Sequence, residues 1–308
     1  MNMNNIPILF VIFNRPNVAL KAFEKIAKIQ PSKLYIASDG PRENHVGEKE
    51  TVERTRQTIL NKVDWNCEVK TLFQERNLGC GRGVYTAINW LFEEEDYGII
   101  LEDDCVITDS FYPFVKEMLI RYKDDTRIGM IAGTNPIKNF ECPTSYFFSR
   151  FKSCWGWATW RRAWVNMDID MAWRESYLSS VLYNSGYAGR DSGKWKYQLK
   201  CIDNNYVSAW DWQWFFSLAS QNQLCIYPSK NLVTNIGTGL NATHAPVYDF
   251  SFKSYTLEWP LSHPKYVMPT IQFEKYMYKS GNSLFTKMMR YVPHFIKEKV
   301  KIYIKRLK

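Results

Sequence analysis

The sequence predicts an α/β protein, with a mostly parallel central sheet flanked by helices, an aromatic-rich lobe and a C-terminal helical tail. Three observations lead there. Over the first hundred residues short β-type apolar runs alternate with segments of helical period, the pattern of a parallel sheet with right-handed crossovers. Each predicted strand ends in charged or turn-forming residues. Past residue 150 the composition shifts, and nine of the twelve tryptophans fall between Trp155 and Trp214.

Residues 7–13 (PILFVIF) form the first expected strand, and Leu20, Phe23, Ile26 and Ala27 give 18–29 a helical spacing. KLYIASDG (33–40) reads as a second strand running into a turn, and 48–60 as a polar helix. CEVKTLF (67–73) supplies a third strand. Val84, Ala87, Ile88 and Leu91 mark one face of a helix over 83–92, and GIIL (98–101) is the fourth strand. In open parallel sheets ligands sit beyond the carboxyl ends of the strands. At that rim stand Asn14-Arg15-Pro16, Ser38-Asp39-Gly40-Pro41, Glu75 to Gly79, and Glu102-Asp103-Asp104. The expected organisation is a ligand-binding lobe over 1–135, a second, aromatic-rich lobe of the same unit over 136–255, and a C-terminal extension over 256–308.

Composition limits the function classes. With 308 residues, 45% hydrophobic, the chain can bury a large core. Much of the +9 charge lies in the last two dozen residues, so a nucleic-acid partner is not expected. Seven cysteines, an odd number with no C-x-x-C pair, fit reduced thiols better than a disulfide framework or a zinc site. The apolar N-terminal run is too short to span a bilayer and leads into Asn14-Arg15-Pro16 without a cleavage signature. A cytoplasmic location is expected, with peripheral attachment at the inner face of the cell membrane.

Glu102, Asp103 and Asp104 follow directly on the apolar run Ile99-Ile100-Leu101. Burying like charges without a partner costs several kcal/mol, roughly, so a positive species is expected beside them. Mg²⁺ or Mn²⁺ takes oxygen ligands and is held through one or two carboxylates plus substrate phosphates. The same acids could instead stand in a solvated turn or before a helix opening at Thr108 to Ser110. The tryptophans could build a bulky core or line an open cleft, where an indole face stacks on a sugar. The turn Gly79-Cys80-Gly81-Arg82-Gly83, flanked by Arg76, is either a strand-to-helix connection or a place where backbone N–H groups and guanidinium forks help to hold a phosphate-bearing ligand.

Ile100-Leu101-Glu102-Asp103-Asp104 followed by Asp109-Ser110-Phe111 resembles the metal-binding segment of N-acetylglucosaminyltransferase I and its relatives, metal-dependent inverting glycosyltransferases of the GT-A fold. The likeness runs from about residue 7 to about residue 250. It takes in Asn14-Arg15 after the first strand, Asp39 after the second, Trp155-Gly156-Trp157, Asp211 among tryptophans, and Gly237-Thr238-Gly239 to His244. Residues 171–206 have no counterpart. The resemblance implies a GT-A type, Rossmann-like sheet and a nucleotide-sugar donor, UDP favoured. It implies Asp104 as principal metal ligand, with Glu102 and Asp103 supporting it or touching the donor ribose and sugar. Asp39 would accept a hydrogen bond from the nucleobase, Arg15 would lie near base or ribose, and Arg76, Gly79 and Arg82 would help to hold the donor.

Inverting transfer also needs a carboxylate to take the acceptor's proton. Asp211, between Trp210 and Trp212, is the expected base, desolvated so that its pKa rises. His244, in a turn-rich loop, is expected to reach the metal or a phosphate. From Leu284 on, apolar residues recur at near-helical period among eight Lys and Arg against the single acid Glu298, a basic amphipathic end suited to an anionic membrane surface or to docking on the protein's own core. The function expected is transfer of a hexose or N-acetylhexosamine from a nucleotide-diphosphate donor to a glycan or lipid-linked acceptor in bacterial surface polysaccharide synthesis. The rivals are a sugar-phosphate nucleotidyltransferase, whose Gly-rich signature after the first strand is absent, and a glycan-binding module with a structural Ca²⁺.

Overall fold

The computed structural model describes residues 5–138, 140–208, 210–237 and 253–292. Its centre is an eight-stranded, mostly parallel sheet. The first half lays down β1 (Ile8–Ile12), α1 (Pro16–Ile29), β2 (Lys33–Ser38), α2 (Glu48–Leu60), β3 (Glu68–Phe73), α3 (Gly79–Glu94) and β4 (Tyr97–Glu102). β1 lies between β2 and β4, with β3 outside β2, all parallel. Pro16 starts α1 where a missing N–H costs nothing. The helix then buries Ala19, Ala22, Phe23 and Ile26, one helical stripe, against the sheet.

After β5 (Cys105–Ile107) and α4 (Phe111–Arg121) come β6 (Ile128–Ala132), β7 (Tyr146–Ser149), β8 (Trp157–Trp160) and the short α5 (Arg161–Trp164). The chain continues through α6 (Arg174–Asn184), α7 (Ser192–Asp203), α8 (Asp211–Ser220), β9 (Leu224–Pro228) and β10 (Val233–Asn235). The sheet order is β3-β2-β1-β4-β8-β6-β9-β7. β8 is wedged antiparallel between β4 and β6, and β7 closes the edge antiparallel to β9. The other six strands run one way, so their carboxyl ends share one rim.

Each sheet face carries its own core. One gathers Phe10, Phe23, Phe111, Phe114 and Tyr146 under α1 and α4. The other gathers Trp157, Trp164, Trp210, Trp214 and Phe216 under α3 and α8. The tryptophans therefore chiefly build core. Trp157 and Trp214 are wholly buried, Trp157 stacks on Trp210 at 5.6 Å, and Trp164 meets Trp214 at 4.8 Å. Only Trp155 and Trp212 of this group keep partial exposure. All seven cysteines are free.

A separate two-stranded pair, β5 with β10, stands over the rim and sets Asn235 opposite Cys105. The described chain ends with α9 (Ile271–Gly281) and α10 (Leu284–Tyr291). Among the described residues no helix is long and apolar enough to cross a membrane.

Candidate active site at the sheet rim

Glu102, Asp103 and Asp104 occupy the end of β4 and the tight turn into β5. They are not the first turn of a helix, since α4 opens only after Ser110. Arg15, just past β1, is the positive partner. Its Nε donates to Asp103 Oδ2 at 3.3 Å, its Nη2 donates to Asp103 Oδ1, and the same Nη2 reaches Asp104 Oδ2 at 3.0 Å. Burial works against the charge on Arg15, but Asp103 and Asp104 outweigh it and raise its pKa further. Both oxygens of Asp103 are thus used by the guanidinium.

Asp104 is engaged at both oxygens, Oδ2 by Arg15 and Oδ1 by Asn235 Nδ2, which donates at 3.0 Å. The Ile236 N–H donates to its main-chain oxygen at 2.9 Å, so residues at the end of β10 hold both the backbone and the side chain of Asp104. Above Oδ2 stands Gly237, where any Cβ would lie 2.1 Å from that oxygen and 2.9 Å from Arg15 Nη1. A glycine is obligatory there if Asp104 is to keep this position. Glu102 has no hydrogen bond to its carboxylate among the described residues, and burial, then Asp104, Asp103 and Asp211, push it up to about 8.

Asp211 opens α8. Burial pushes its carboxyl up to about 6, against the opposing help of the Trp212 N–H and of the Cys154 thiol, which donates to Oδ2 at 3.9 Å. It shares a field with the acid cluster, for it is among the groups that raise Glu102. Cys80, on the first turn of α3, records the same convergence. Crowding, then the charges of Glu102, Asp211, Asp39 and Asp104, push its thiol up to about 12. Four carboxylates from three parts of the chain lie within reach of this thiol.

Asp39 has an added duty that spacing alone does not reveal. Its Oδ1 accepts from the N–H groups of Gly40 and Leu78, each at 2.8 Å, and its Oδ2 from that of Gly79 at 3.0 Å. These bonds start α3 at Gly79, four residues before the expected 83, with Gly79 at φ +78° where an L side chain is strained. Arg76 and Arg82 are exposed at this end of α3. Arg76, Asn77 and the 41–45 loop border an open groove of about 370 Å³. That loop is pinned by Glu48, which accepts from Asn14 Nδ2 at 2.8 Å, from the Arg42 N–H at 2.8 Å and from the Arg42 guanidinium. His244 lies outside the described residues.

The structure thus brings Arg15, Asp39, Gly79, Glu102, Asp103, Asp104 and Asp211 together at one rim of the sheet, linked by hydrogen bonds and by their shared charges. Asn235, Glu48 and the Cys154 thiol escape the sequence reading. Only Asn235 carried a signal, as the polar stop after the apolar Leu232-Val233.

The donor set suits a divalent ion. Several carboxylates, the hard oxygen donors such an ion takes, face the one guanidinium of Arg15. Among the described residues no three His, Cys, Asp or Glu side chains converge tightly enough to hold a metal by themselves.

Neither a family model nor a curated protein matches the chain. Similar solved structures include the mannosyltransferase PcManGT from Pyrobaculum calidifontis in complex with GDP-Man and Mn²⁺, at 9% identity and a TM-score of 0.35, covering 51% of this chain and 45% of that one. HddC from Yersinia pseudotuberculosis matches at 8% identity and a TM-score of 0.31, covering 51% of this chain and 77% of that one. A UDP-glucose pyrophosphorylase complexed with UDP-glucose matches at 14% identity and a TM-score of 0.28, covering 47% of this chain and 62% of that one. The chain thus spans less than half the length of the mannosyltransferase. At such low likeness the residues of the site have to carry the assignment.

Proposed function

We propose that this protein is a metal-dependent, inverting glycosyltransferase. It moves a hexose or N-acetylhexosamine from a nucleotide-diphosphate donor, UDP favoured, to a glycan or lipid-linked acceptor of bacterial surface polysaccharide synthesis, at the inner face of the cell membrane. The observation that carries this is the division of labour among the acids of one cleft. Asp104 is paired with Arg15 and Asn235 beside the unpaired Glu102, while Asp211, on another element, is desolvated and pushed up to about 6.

In this reading Asp104, with Glu102 beside it, would hold Mn²⁺ or Mg²⁺ together with the donor diphosphate, and the bound ion would supply Lewis-acid stabilisation of charge on the leaving nucleotide. Arg15 locks Asp103 and steadies Asp104. Asp39 positions the first turn of α3, so that the Gly79 end and the exposed Arg76 and Arg82 border the donor. Asp211 takes the acceptor hydroxyl's proton on the opposite face of the sugar. His244 is assigned to the donor side, as a further metal or phosphate contact.

Thermal melting with a panel of nucleotide sugars, with and without Mn²⁺, tests the proposal. A ligand at a hundred times its Kd adds about 2.7 kcal/mol to the folded state, so one sugar nucleotide should raise the Tm by several degrees only when Mn²⁺ is present. No metal-dependent rise with any nucleotide sugar would overturn it.

A further inference from the structure

We infer that the outer face of α9 and α10 is a docking surface for an anionic lipid bilayer. This deepens the membrane location proposed above but stands on residues remote from the cleft, so it succeeds or fails separately from the catalytic reading.

Both helices are fastened from one side. Phe273 and Glu274 of α9 are wholly buried, the carboxylate of Glu274 accepting from the Arg150 N–H at 2.8 Å and from its guanidinium. Arg290 of α10 donates to the Gly281 carbonyl at 2.7 Å and to Asn282 Oδ1 at 2.8 Å, and Asn282 in turn donates to Asp191 at 2.9 Å. The other side is left bare. Leu284, Met288 and Tyr291, one helical stripe at i, i+4 and i+7, are 83%, 69% and 89% exposed. Lys287 beside them is exposed, as are Tyr276, Lys275 and Lys279 of α9. Large apolar side chains held outward among cations mark an interaction surface.

Charge selects the occupant. On α9 and α10 the exposed charges are Lys275, Lys279 and Lys287, and the one acid, Glu274, is wholly buried. A second copy docking by a two-fold would set this face against itself, bringing lysines against lysines. An anionic bilayer accepts both halves, with the apolar stripe entering the interface and the cations facing lipid headgroups.

The test is co-sedimentation of the full chain with vesicles of phosphatidylcholine alone or with about a third phosphatidylglycerol, an anionic content at which basic segments are drawn to the surface. Binding is expected only to the anionic vesicles, falling about tenfold between 0.1 and 0.5 M NaCl as screening shortens. The triple variant Leu284→Ser/Met288→Ser/Tyr291→Ser should lose at least about tenfold in partitioning while keeping the Tm of the parent, since its side chains are exposed. No binding at low salt, equal binding to neutral vesicles, or undiminished binding by the triple variant would each overturn the inference. So would concentration-dependent dimerisation in sedimentation velocity that the triple variant abolishes without any effect on vesicles, because the face would then belong to a second copy. The Tm rise with UDP and Mn²⁺ should be unchanged in the triple variant, which separates this outcome from failure of the catalytic reading.

Discussion

Two groups of carboxylates stand at the same rim of the sheet, and the molecule treats them in opposite ways. Glu48 is surrounded by donors. The Arg42 guanidinium, then the Arg42 N–H and Asn14, hold its carboxyl down at about 2 in spite of burial. Desolvation pushes Glu102 and Asp211 up, to about 8 and about 6, with neighbouring acids adding to the rise at Glu102. The difference separates architecture from chemistry. An acid whose task is to hold a loop is neutralised within the fold, whereas acids left short of cations are poised for something the fold does not contain, either a metal ion or a proton. Glu274, wholly buried and forked by Arg150, belongs with Glu48.

The sharpest way to break this comparison is Asp211→Asn. If Asp211 is the base, transfer should fall by about a thousandfold, within the usual range for general-base loss, while UDP affinity in the presence of Mn²⁺ stays unchanged. Turnover within a few-fold of the parent in a radiolabelled transfer assay would move Asp211 to the architectural group. Asp104→Asn should do the reverse. Calorimetric UDP affinity with Mn²⁺ should drop about a hundredfold, since removal of a metal-holding oxygen costs on the order of 3 kcal/mol, and affinity without metal should not change.

Glu48→Gln tests the other side of the comparison. Losing the Arg42 pair should destabilise the protein by about 2 kcal/mol at pH 7, less than the full pKa displacement implies because Arg42 is partly solvated. Glu48 is lowered from 4.5 to about 2, so its contribution is present above pH 4.5 and is lost as pH falls through 2. The variant should therefore converge on the parent in strong acid. A large loss of Mn²⁺-UDP affinity with no loss of Tm would place Glu48 among the working residues.

What the sequence made legible follows from how local each cause is. Alternating runs located β1 to β4 and their helices to within a few residues, because burial against one sheet imposes its period on each segment separately. The acid cluster was legible for the same reason, three charges standing where an apolar strand stops. The start of α3 was not, since it depends on Asp39 accepting from Leu78 and Gly79 across almost forty residues. Nor was the route by which β8 enters antiparallel between β4 and β6, which leaves no periodicity of its own. The tryptophans read equally as core or cleft, because an indole serves either. Their burial is decided by β8 and α8 packing together, a tertiary fact. The contact of Asn235 with Asp104 spans 131 residues and exists only because β10 pairs with β5.

The smallest expected effect bears most directly on the opening contrast, because it reads the strain in the cleft without any substrate. Asp211 is raised from 3.8 to about 6. A raised acid stabilises the fold fully below its unfolded value and loses that contribution as pH climbs through the folded one. The metal-free protein should therefore lose stability between about pH 4 and pH 7, the opposite direction from Glu48. The whole displacement would correspond to about 3 kcal/mol. Asp211 keeps some access to water and a thiol partner in Cys154, so asparagine should recover only about 1 kcal/mol at pH 8 and nothing at pH 4. Mn²⁺ with UDP should narrow the gap between parent and variant at pH 8, since positive charge beside Glu102 and Asp104 relieves the same field. Parallel Tm curves for parent and Asp211→Asn from pH 4 to 8 would mean that the acids of the cleft are as well neutralised as Glu48, and the contrast from which their chemistry was inferred would disappear.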